Sequence, residues 1–264
     1  MKKPLPIAVT VIIIAAAIYI VYSFVVRTPT QESVNTAAEN ANVNATEDTE
    51  TINATDSVTE FPQQVKTPHF EASIPLHEAV LPASPINVVL TTNFDLAAPS
   101  TISVQSEGTE FATGETTIDA NKLAMRRTMS EDAPDGRYTV TYKACWPDGS
   151  CHDGTFTFDI DRTIAESYED ARGEKNVTIA LAGLAFDREL LRIERGTTVT
   201  WQNNDEVGHY INTDPHPGHA YYPEMNSQEL LSGDDFSVTF TTPGYYPYHC
   251  STHPAAMTGV ILVE

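Results

Sequence analysis

Short stretches of alternating apolar and polar residues recur from residue 86 to the end of the chain. A period of two is typical of β-strands with one buried face, and the Pro, Gly and Asp residues between the stretches are typical of turns. The stretches are 86–92, 101–105, 137–143 and 155–160, and then 177–182, 190–194, 198–203, 209–212, 236–240, 245–250 and 259–264. The pattern predicts an all-β fold with two β-sandwich domains, 66–162 and 176–264, joined by a polar linker at 163–175.

An uncharged apolar run at 5–26 precedes these stretches. At about 1.5 Å per helical residue it is long enough to cross a hydrocarbon core of about 30 Å, and it exceeds the apolar region of a typical signal peptide. The competing interpretation is a signal peptide that is cleaved near residues 15–17. We expect a single-pass anchor with residues 1–4 in the cytoplasm, because lysines precede the span, and globular domains that are extracellular or periplasmic.

Residues 27–65 separate the predicted anchor from the first sandwich. From 28 to 65 the chain is rich in Thr, Asn, Ala and Glu and contains no Lys or Arg. Such a composition buries too little apolar surface to offset the entropy lost on ordering. We expect a disordered acidic linker that tethers the domains to the membrane.

The charge balance limits the possible partners. The chain has 36 Asp and Glu against 15 Lys and Arg, a formal net charge of -21. Binding of nucleic acid requires a basic surface that contacts phosphates, so we expect no nucleic-acid partner. Cationic proteins and metal ions fit this charge better.

The three cysteines fall into a pair and a single residue. Cys145 and Cys151 enclose a turn sequence between two predicted strands, which indicates a disulfide and therefore an oxidising compartment. Because the enclosed loop is short, the bond would mainly fix local shape. Cys250 is left over and is available for chemistry.

Several residues whose sulfur and nitrogen atoms can bind a metal lie near the end of the chain. Cys250, His253 and Met257 follow a spacing of C-x2-H-x3-M, and His209 offers a second imidazole from another stretch. Two His and one Cys with a weak axial Met are the ligand set of a blue-copper electron-transfer centre. The sequence therefore predicts one copper ion held by these four residues.

Three further histidines lie close to this set. His249 precedes Cys250 on a predicted strand, where adjacent side chains point to opposite faces, so we expect it to point away from the copper. His216 and His219 lie in a Pro-rich and Tyr-rich insertion at 214–223. A surface lid is the favoured interpretation of this insertion, and transient copper capture by the two histidines is the alternative.

The first predicted sandwich resembles the periplasmic copper-resistance protein CopC. The segment 67–75 resembles that family's opening strand, and 135–144 with 153–158 resembles its closing hairpin. In the family, a terminal His and an Asp/His pair bind Cu(II). Here Thr67 stands at the first position, and Asp148 and His152 have a wider spacing. We therefore expect a structural sandwich with solvated His69, His77 and His152.

The second predicted sandwich resembles a cupredoxin of the plastocyanin and amicyanin type over its whole length. The matching segments are 190–196, 199–201, 239–244, 248–254 and 257–259. The resemblance implies that His209, Cys250, His253 and Met257 are the copper ligands. Two positions depart from the family: Gly208 stands where a Pro is usual, and Tyr210 stands where an Asn or Thr commonly braces the ligand loops.

These features predict a membrane-anchored type 1 copper protein that transfers single electrons to a transient redox partner protein. The alternative is copper binding for delivery, sequestration or resistance, with a copper-trafficking protein as the partner. A structural module with an unused site is a third interpretation. We expect no enzymatic activity, because four protein ligands leave no open metal position for a substrate.

Overall fold

The computed structural model describes residues 62–264. The predicted cytoplasmic residues 1–4, the anchor at 5–26 and most of the predicted tether, 27–61, lie outside this range. Between residues 62 and 264, no helix combines the length and the apolar character that a membrane crossing needs. At Val65 the chain already pairs with the first sandwich, through backbone hydrogen bonds in both directions with Thr155.

The first sandwich consists of two sheets. Its described strands are β1 (Phe70–Ile74), β2 (Ala79–Leu81), β3 (Asn87–Thr92), β4 (Ala97–Ser106), β5 (Thr109–Glu110), β6 (Ala112–Ile118), β7 (Ala124–Met129), β8 (Gly136–Cys145) and β9 (Cys151–Ile160). One sheet has the order β1-β3-β7-β6 and the other β2-β9-β8-β4-β5. The alternation on β8 buries Tyr138, Val140 and Tyr142 in the core between the sheets. Each large apolar side chain buried in this way stabilises the fold by about 1.5–3 kcal/mol.

The predicted disulfide is present. Cys145 and Cys151 face each other at the end of the β8–β9 hairpin, and their Cα atoms are 4.1 Å apart. Trp146 N–H donates to the Ser150 carbonyl inside the turn, so hydrogen bonds and the disulfide close the same hairpin end.

The second sandwich also has two sheets. Its described strands are β10 (Glu169–Asp170), β11 (Asn176–Leu181), β12 (Leu190–Ile193), β13 (Thr198–Asn203), β14 (Asn212–Thr213), β15 (Asp235–Thr239), β16 (Gly244–His249) and β17 (Thr258–Val263). The orders are β10-β12-β17-β16-β14 and β11-β13-β15. Trp201 on β13 is fully buried between the sheets and meets Tyr248 of β16 edge-on, with ring centroids 5.4 Å apart.

Strands β2, β5, β6 and β7 are not among the predicted stretches, and two further segments differ from the predicted pattern. The stretch 209–212 was expected as a strand, but only Asn212–Thr213 forms one, because His209 pairs instead with Leu230 in an isolated bridge. The polar segment 163–175 contains most of a 3-10 helix, Arg162–Ser167, followed by β10, which pairs in parallel with β12. The predicted linker therefore contributes Glu169–Asp170 to a sheet of the second sandwich.

The two sandwiches share a buried contact built around Tyr221, and both belong to one compact unit. The Tyr221 hydroxyl accepts a 2.9 Å hydrogen bond from Ile86 N–H and donates one of 2.6 Å to the Tyr245 carbonyl. Tyr221 is fully buried. The prediction that 214–223 is a surface lid is thus wrong for Tyr221, because the ring and hydroxyl of this residue connect the two domains.

Candidate metal centre

The loop that follows β16 is closed by its own backbone. His253 N–H donates to the Cys250 carbonyl at 2.9 Å, and Met257 N–H donates to the His253 carbonyl at 2.9 Å. Cys250 N–H in turn donates to the Met257 carbonyl at 3.0 Å. These successive turns bring three residues with metal-binding side chains into one short loop at the end of the sandwich.

The donor atoms of three predicted ligands lie at metal-binding distances. Cys250 Sγ is 3.5 Å from His209 Nδ1 and 3.8 Å from His253 Nδ1, and all three donor atoms lie within 4.8 Å of one another. A metal bonded to sulfur at about 2.3 Å and to nitrogen at about 2.0 Å separates such donors by about 3.7 Å. The three side chains therefore fit a single metal ion.

Burial differs among the four predicted ligands. His209, Cys250 and Met257 are buried, whereas His253 is half-buried. The free thiol of Cys250 is thus shielded from solvent, and the His253 ring is the edge of the site that reaches the surface. Residues 254–256 beside it are exposed.

Asp205 determines which nitrogen of His209 faces the site. Its Oδ2 lies 3.0 Å from His209 Nε2, and because a carboxylate only accepts, Nε2 carries the proton. Nδ1 therefore keeps its lone pair and faces Cys250. Carboxylates that orient metal-binding imidazoles in this way also raise their basicity.

Asp205 is itself held as an anion. Its carboxylate accepts hydrogen bonds from Leu184 N–H at 3.0 Å and Gly183 N–H at 2.7 Å. These backbone bonds lower the pKa of Asp205 below its usual value, and His209 contributes less. Asn203 Oδ1 also accepts from Asp205 N–H, at 2.9 Å, which fixes the loop that carries the carboxylate.

The bracing between the two ligand loops comes from atoms that the sequence pattern does not signal. Tyr210 N–H points at Cys250 Sγ at 3.5 Å, so a backbone amide supports the sulfur. Asn212 Nδ2 donates to Ser251 Oγ at 2.7 Å and joins the two loops directly. Backbone amides and residues brought together by folding leave no motif in a sequence.

His249 lies on the opposite side of β16 from Cys250, as the alternation predicts. Its Nδ1 is 2.7 Å from Asp214 Oδ1, and the ring is almost fully buried among His216 and His219. Burial, with smaller contributions from His249 and His216, lowers the pKa of His219 to about 4.

The histidines of the first sandwich have separate surroundings. His69 is exposed, stacks on Phe94 and is 3.0 Å from Asn93 Oδ1, whereas His152 is exposed on β9. His77 is partly buried rather than solvated, because its Nδ1 accepts from Thr157 N–H at 3.2 Å. Asp148 accepts two hydrogen bonds from Ser150 in the hairpin turn.

Two protein families match these domains. The copper-binding proteins of the plastocyanin/azurin family match residues 173–264, which include the whole ligand loop. The chain belongs to this family. The CopC domain family matches residues 70–161, so a CopC domain precedes the cupredoxin domain.

Individual relatives cover part of the chain. Amicyanin-alpha of Methylorubrum extorquens is 33% identical over 86 residues, which are 33% of this chain and 70% of that protein. Chloroplastic plastocyanin of Physcomitrium patens is 33% identical over 86 residues, and the match spans 31% of this chain and about half, 51%, of that protein. A solved structure of a purple cupredoxin from Nitrosopumilus maritimus is 32% identical, with 33% of this chain and 99% of that chain covered and a TM-score of 0.30.

Membership of this family and the fit of the donors identify copper as the cofactor of the cupredoxin domain. A buried thiol between two imidazole nitrogens is the donor chemistry that copper accepts in both of its common oxidation states.

Proposed function

We propose that the protein is a membrane-anchored type 1 copper protein that transfers single electrons. His209, Cys250, His253 and Met257 would hold the ion. The observation that supports this most directly is the buried Cys250 sulfur between two imidazole nitrogens, at 3.5 and 3.8 Å. Bound copper supplies the chemistry by cycling between Cu(I) and Cu(II).

The residues around the site suit this cycling. A thiolate and a thioether stabilise Cu(I), and two imidazoles stabilise Cu(II). The Asp205 bond to His209 and the closed loop around Cys250 would hold the donors in place in both oxidation states of a bound copper ion. Little rearrangement is then needed when an electron arrives or leaves.

The location belongs to the same proposal. The apolar run at 5–26 would anchor the protein as a single-pass membrane protein, and the residues from 27 up to the paired Val65 would tether both domains in the extracellular or periplasmic space. The Cys145–Cys151 disulfide agrees with an oxidising compartment. A redox partner protein would dock briefly at the half-buried His253 and the exposed residues 254–256.

The experiment compares the purified full-length chain with a Cys250→Ser variant. The wild type should bind copper tightly with an intense visible band, which arises from the thiolate, and the variant should lose both. Thr252→Ala, an exposed change in the same loop, is the matched control and should keep the band. Tight copper binding by the wild type without an intense band would contradict the proposal.

Copper delivery is the second candidate function, because a CopC domain precedes the copper site. The two functions differ in what leaves the protein. An electron carrier keeps its copper through repeated reduction with ascorbate and reoxidation with ferricyanide, and the visible band recovers each time. A copper donor releases Cu(I) to a soluble chelator during the first reduction, which metal analysis of the filtrate detects.

A further inference from the structure

A second cluster of imidazoles lies outside the predicted copper site. His216 and His219 come from the insertion, and His249 comes from the end of β16. The pairs of ring centroids are 5.4, 5.3 and 5.2 Å apart, so the three rings form a nearly equilateral triangle. Their metal-binding nitrogens all lie within 4.8 Å of one another.

These distances match a metal site. Three imidazoles bound tetrahedrally at about 2.0–2.1 Å have ring centroids about 5 Å apart and donor nitrogens about 3.4 Å apart. His219 Nε2 and His216 Nδ1 are 3.4 Å apart. The pair therefore already has the separation that a shared ion requires.

His249 supplies an unpartnered nitrogen to this cluster. Its Nδ1 must donate to Asp214 Oδ1, at 2.7 Å, because the carboxylate only accepts. Its Nε2 then carries a lone pair, is buried and has no hydrogen-bond partner within the described chain. The side chain is 2% exposed, so the nitrogen is not simply hydrated at the surface. A buried acceptor without a partner is destabilising unless something else, such as a metal ion, occupies the space beside it.

The remaining contacts hold the triangle in place. Ser251 Oγ is 3.0 Å from His219 Nε2, and a bound ion would take over this contact. The backbone of His219 is fixed at both ends, since its N–H donates to the Pro215 carbonyl at 2.8 Å and its carbonyl accepts from Asn226 Nδ2 at 2.8 Å. Asp214 behind His249 is the carboxylate partner that metal-binding imidazoles usually have.

We propose that His216, His219 and His249 form a second metal site that binds a divalent transition-metal ion, Cu²⁺ or Zn²⁺. An all-imidazole donor set suits both ions and leaves a fourth position open. His216 is exposed, so the site opens to solvent on that side. Cu²⁺ binds more tightly than Zn²⁺ at such a site, following the general order of divalent-metal affinities. One of its three ligands, His249, is the residue next to Cys250, so the two metal sites would be one peptide bond apart.

The test measures metal stoichiometry on the untagged full-length chain whose first site is already loaded with copper. Cu²⁺ and Zn²⁺ are added in separate titrations, and bound metal is counted after dialysis. We expect one further equivalent of either ion, and Cu²⁺ should displace Zn²⁺ from the same place. A His216→Gln/His219→Gln double variant should lose this equivalent and keep the visible band of the first site.

Two further variants make the outcome specific. Asp214→Asn should weaken binding of the second ion by about 10–100-fold and leave the visible band unchanged. A His69→Gln/His152→Gln double variant changes two exposed histidines of the CopC domain and should keep the second equivalent. If the wild type binds no further ion, or if the His216/His219 variant binds as much as the wild type, the cluster is only a hydrogen-bonded structural element and the proposal is wrong.

The same titration separates this proposal from the function of the first site. Cys250→Ser should lose the first equivalent but still bind Zn²⁺ at the histidine cluster. Loss of the second equivalent in the His216/His219 variant says nothing against the blue-copper site, and a missing visible band says nothing against the cluster.

Discussion

Asp205 illustrates how much of the copper site depends on a residue that is not a ligand. It is anchored by the Gly183 and Leu184 amides and orients His209 through Nε2. The substitution Asp205→Asn removes the negative charge of this side chain and keeps its shape. The variant should bind copper about 10–100-fold more weakly, because the imidazole loses the carboxylate that fixes its tautomer and orientation. A competition titration against a copper chelator measures this loss.

Asp187→Asn is the matched control for this change. Asp187 also accepts a backbone amide, that of Ala180 at 2.8 Å, but it does not contact a ligand. Its variant should keep wild-type copper affinity. Equal affinities of the Asp205 variant and the wild type would show that Asp205 has no role in positioning His209.

Tyr168 is one of several tyrosines whose burial should make stability depend on alkaline pH. Burial raises the pKa of Tyr168 to about 12 from its ordinary value of 10.0. Below pH 10 the phenol is neutral in both folded and unfolded chains; between pH 10 and about 12 only the unfolded chain ionises, so stability falls as pH rises. Urea unfolding across this range should show a smaller fall for Tyr168→Phe than for the wild type. Identical pH dependence in the two proteins would contradict this assignment.

The strand pairs β8–β9 and β16–β17 each pack a tyrosine ring against a glycine on the neighbouring strand. On β17, Gly259 lies opposite Tyr248, and a Cβ added there would meet the tyrosine ring at 2.4 Å. On β9, Gly154 lies opposite Tyr142, and an added Cβ would meet that ring at 2.2 Å. In both domains the absence of a side chain on one strand makes room for an aromatic ring on its neighbour.

Gly259→Ala should therefore disturb the copper loop as well as stability. Overpacking of this kind costs about 1–3 kcal/mol, and the displaced Tyr248 lies two residues before Cys250. Thermal unfolding should shift to lower temperature and the visible copper band should change. Gly154→Ala, the control, should lower stability to a similar degree and leave the band as in the wild type. A normal band in Gly259→Ala would show that the loop is independent of the Tyr248 ring.

At the scale of the whole molecule, apolar residues on one face of the CopC domain extend the buried core of the cupredoxin domain, while the CopC domain keeps a separate core between its own sheets. Ile74, Ile86 and Val89 of the CopC domain belong to the same buried cluster as Trp201 and Tyr246 of the cupredoxin domain. Pro85 also pairs with Tyr245 in a parallel bridge, and Arg195 forms a 3.0 Å ion pair with Glu131. The CopC domain thus packs directly on the domain that holds the copper.

Tyr221→Phe tests how strongly this contact couples the domains. The change leaves the buried Ile86 N–H without its acceptor, which costs about 1–3 kcal/mol. Calorimetry should show a lower unfolding temperature and a transition that separates into two steps. Tyr222→Phe, a change at the neighbouring partly buried tyrosine, should unfold as the wild type does. An unchanged single transition in the Tyr221 variant would mean that the hydroxyl does not link the domains.

Much of the fold and of the first site follows from local sequence patterns. Period-two alternation predicts most of the strands, and the six-residue spacing of Cys145 and Cys151 predicts their disulfide. Cys250, His253 and Met257 are close in sequence, so their spacing alone predicts that they share a loop. The opposite orientations of His249 and Cys250 follow from the same alternation.

Contacts between distant segments were decided only by the tertiary structure. The anchoring of Asp205 by the Gly183 and Leu184 amides, the burial of Tyr221 against Ile86 and the triangle of His216, His219 and His249 each depend on where separate segments meet. A strand's periodicity states which face a side chain occupies, but not what the fold places opposite that face. For this reason the sequence determined the ligand motif and the strands, whereas folding determined which groups orient the ligands and created the second histidine cluster.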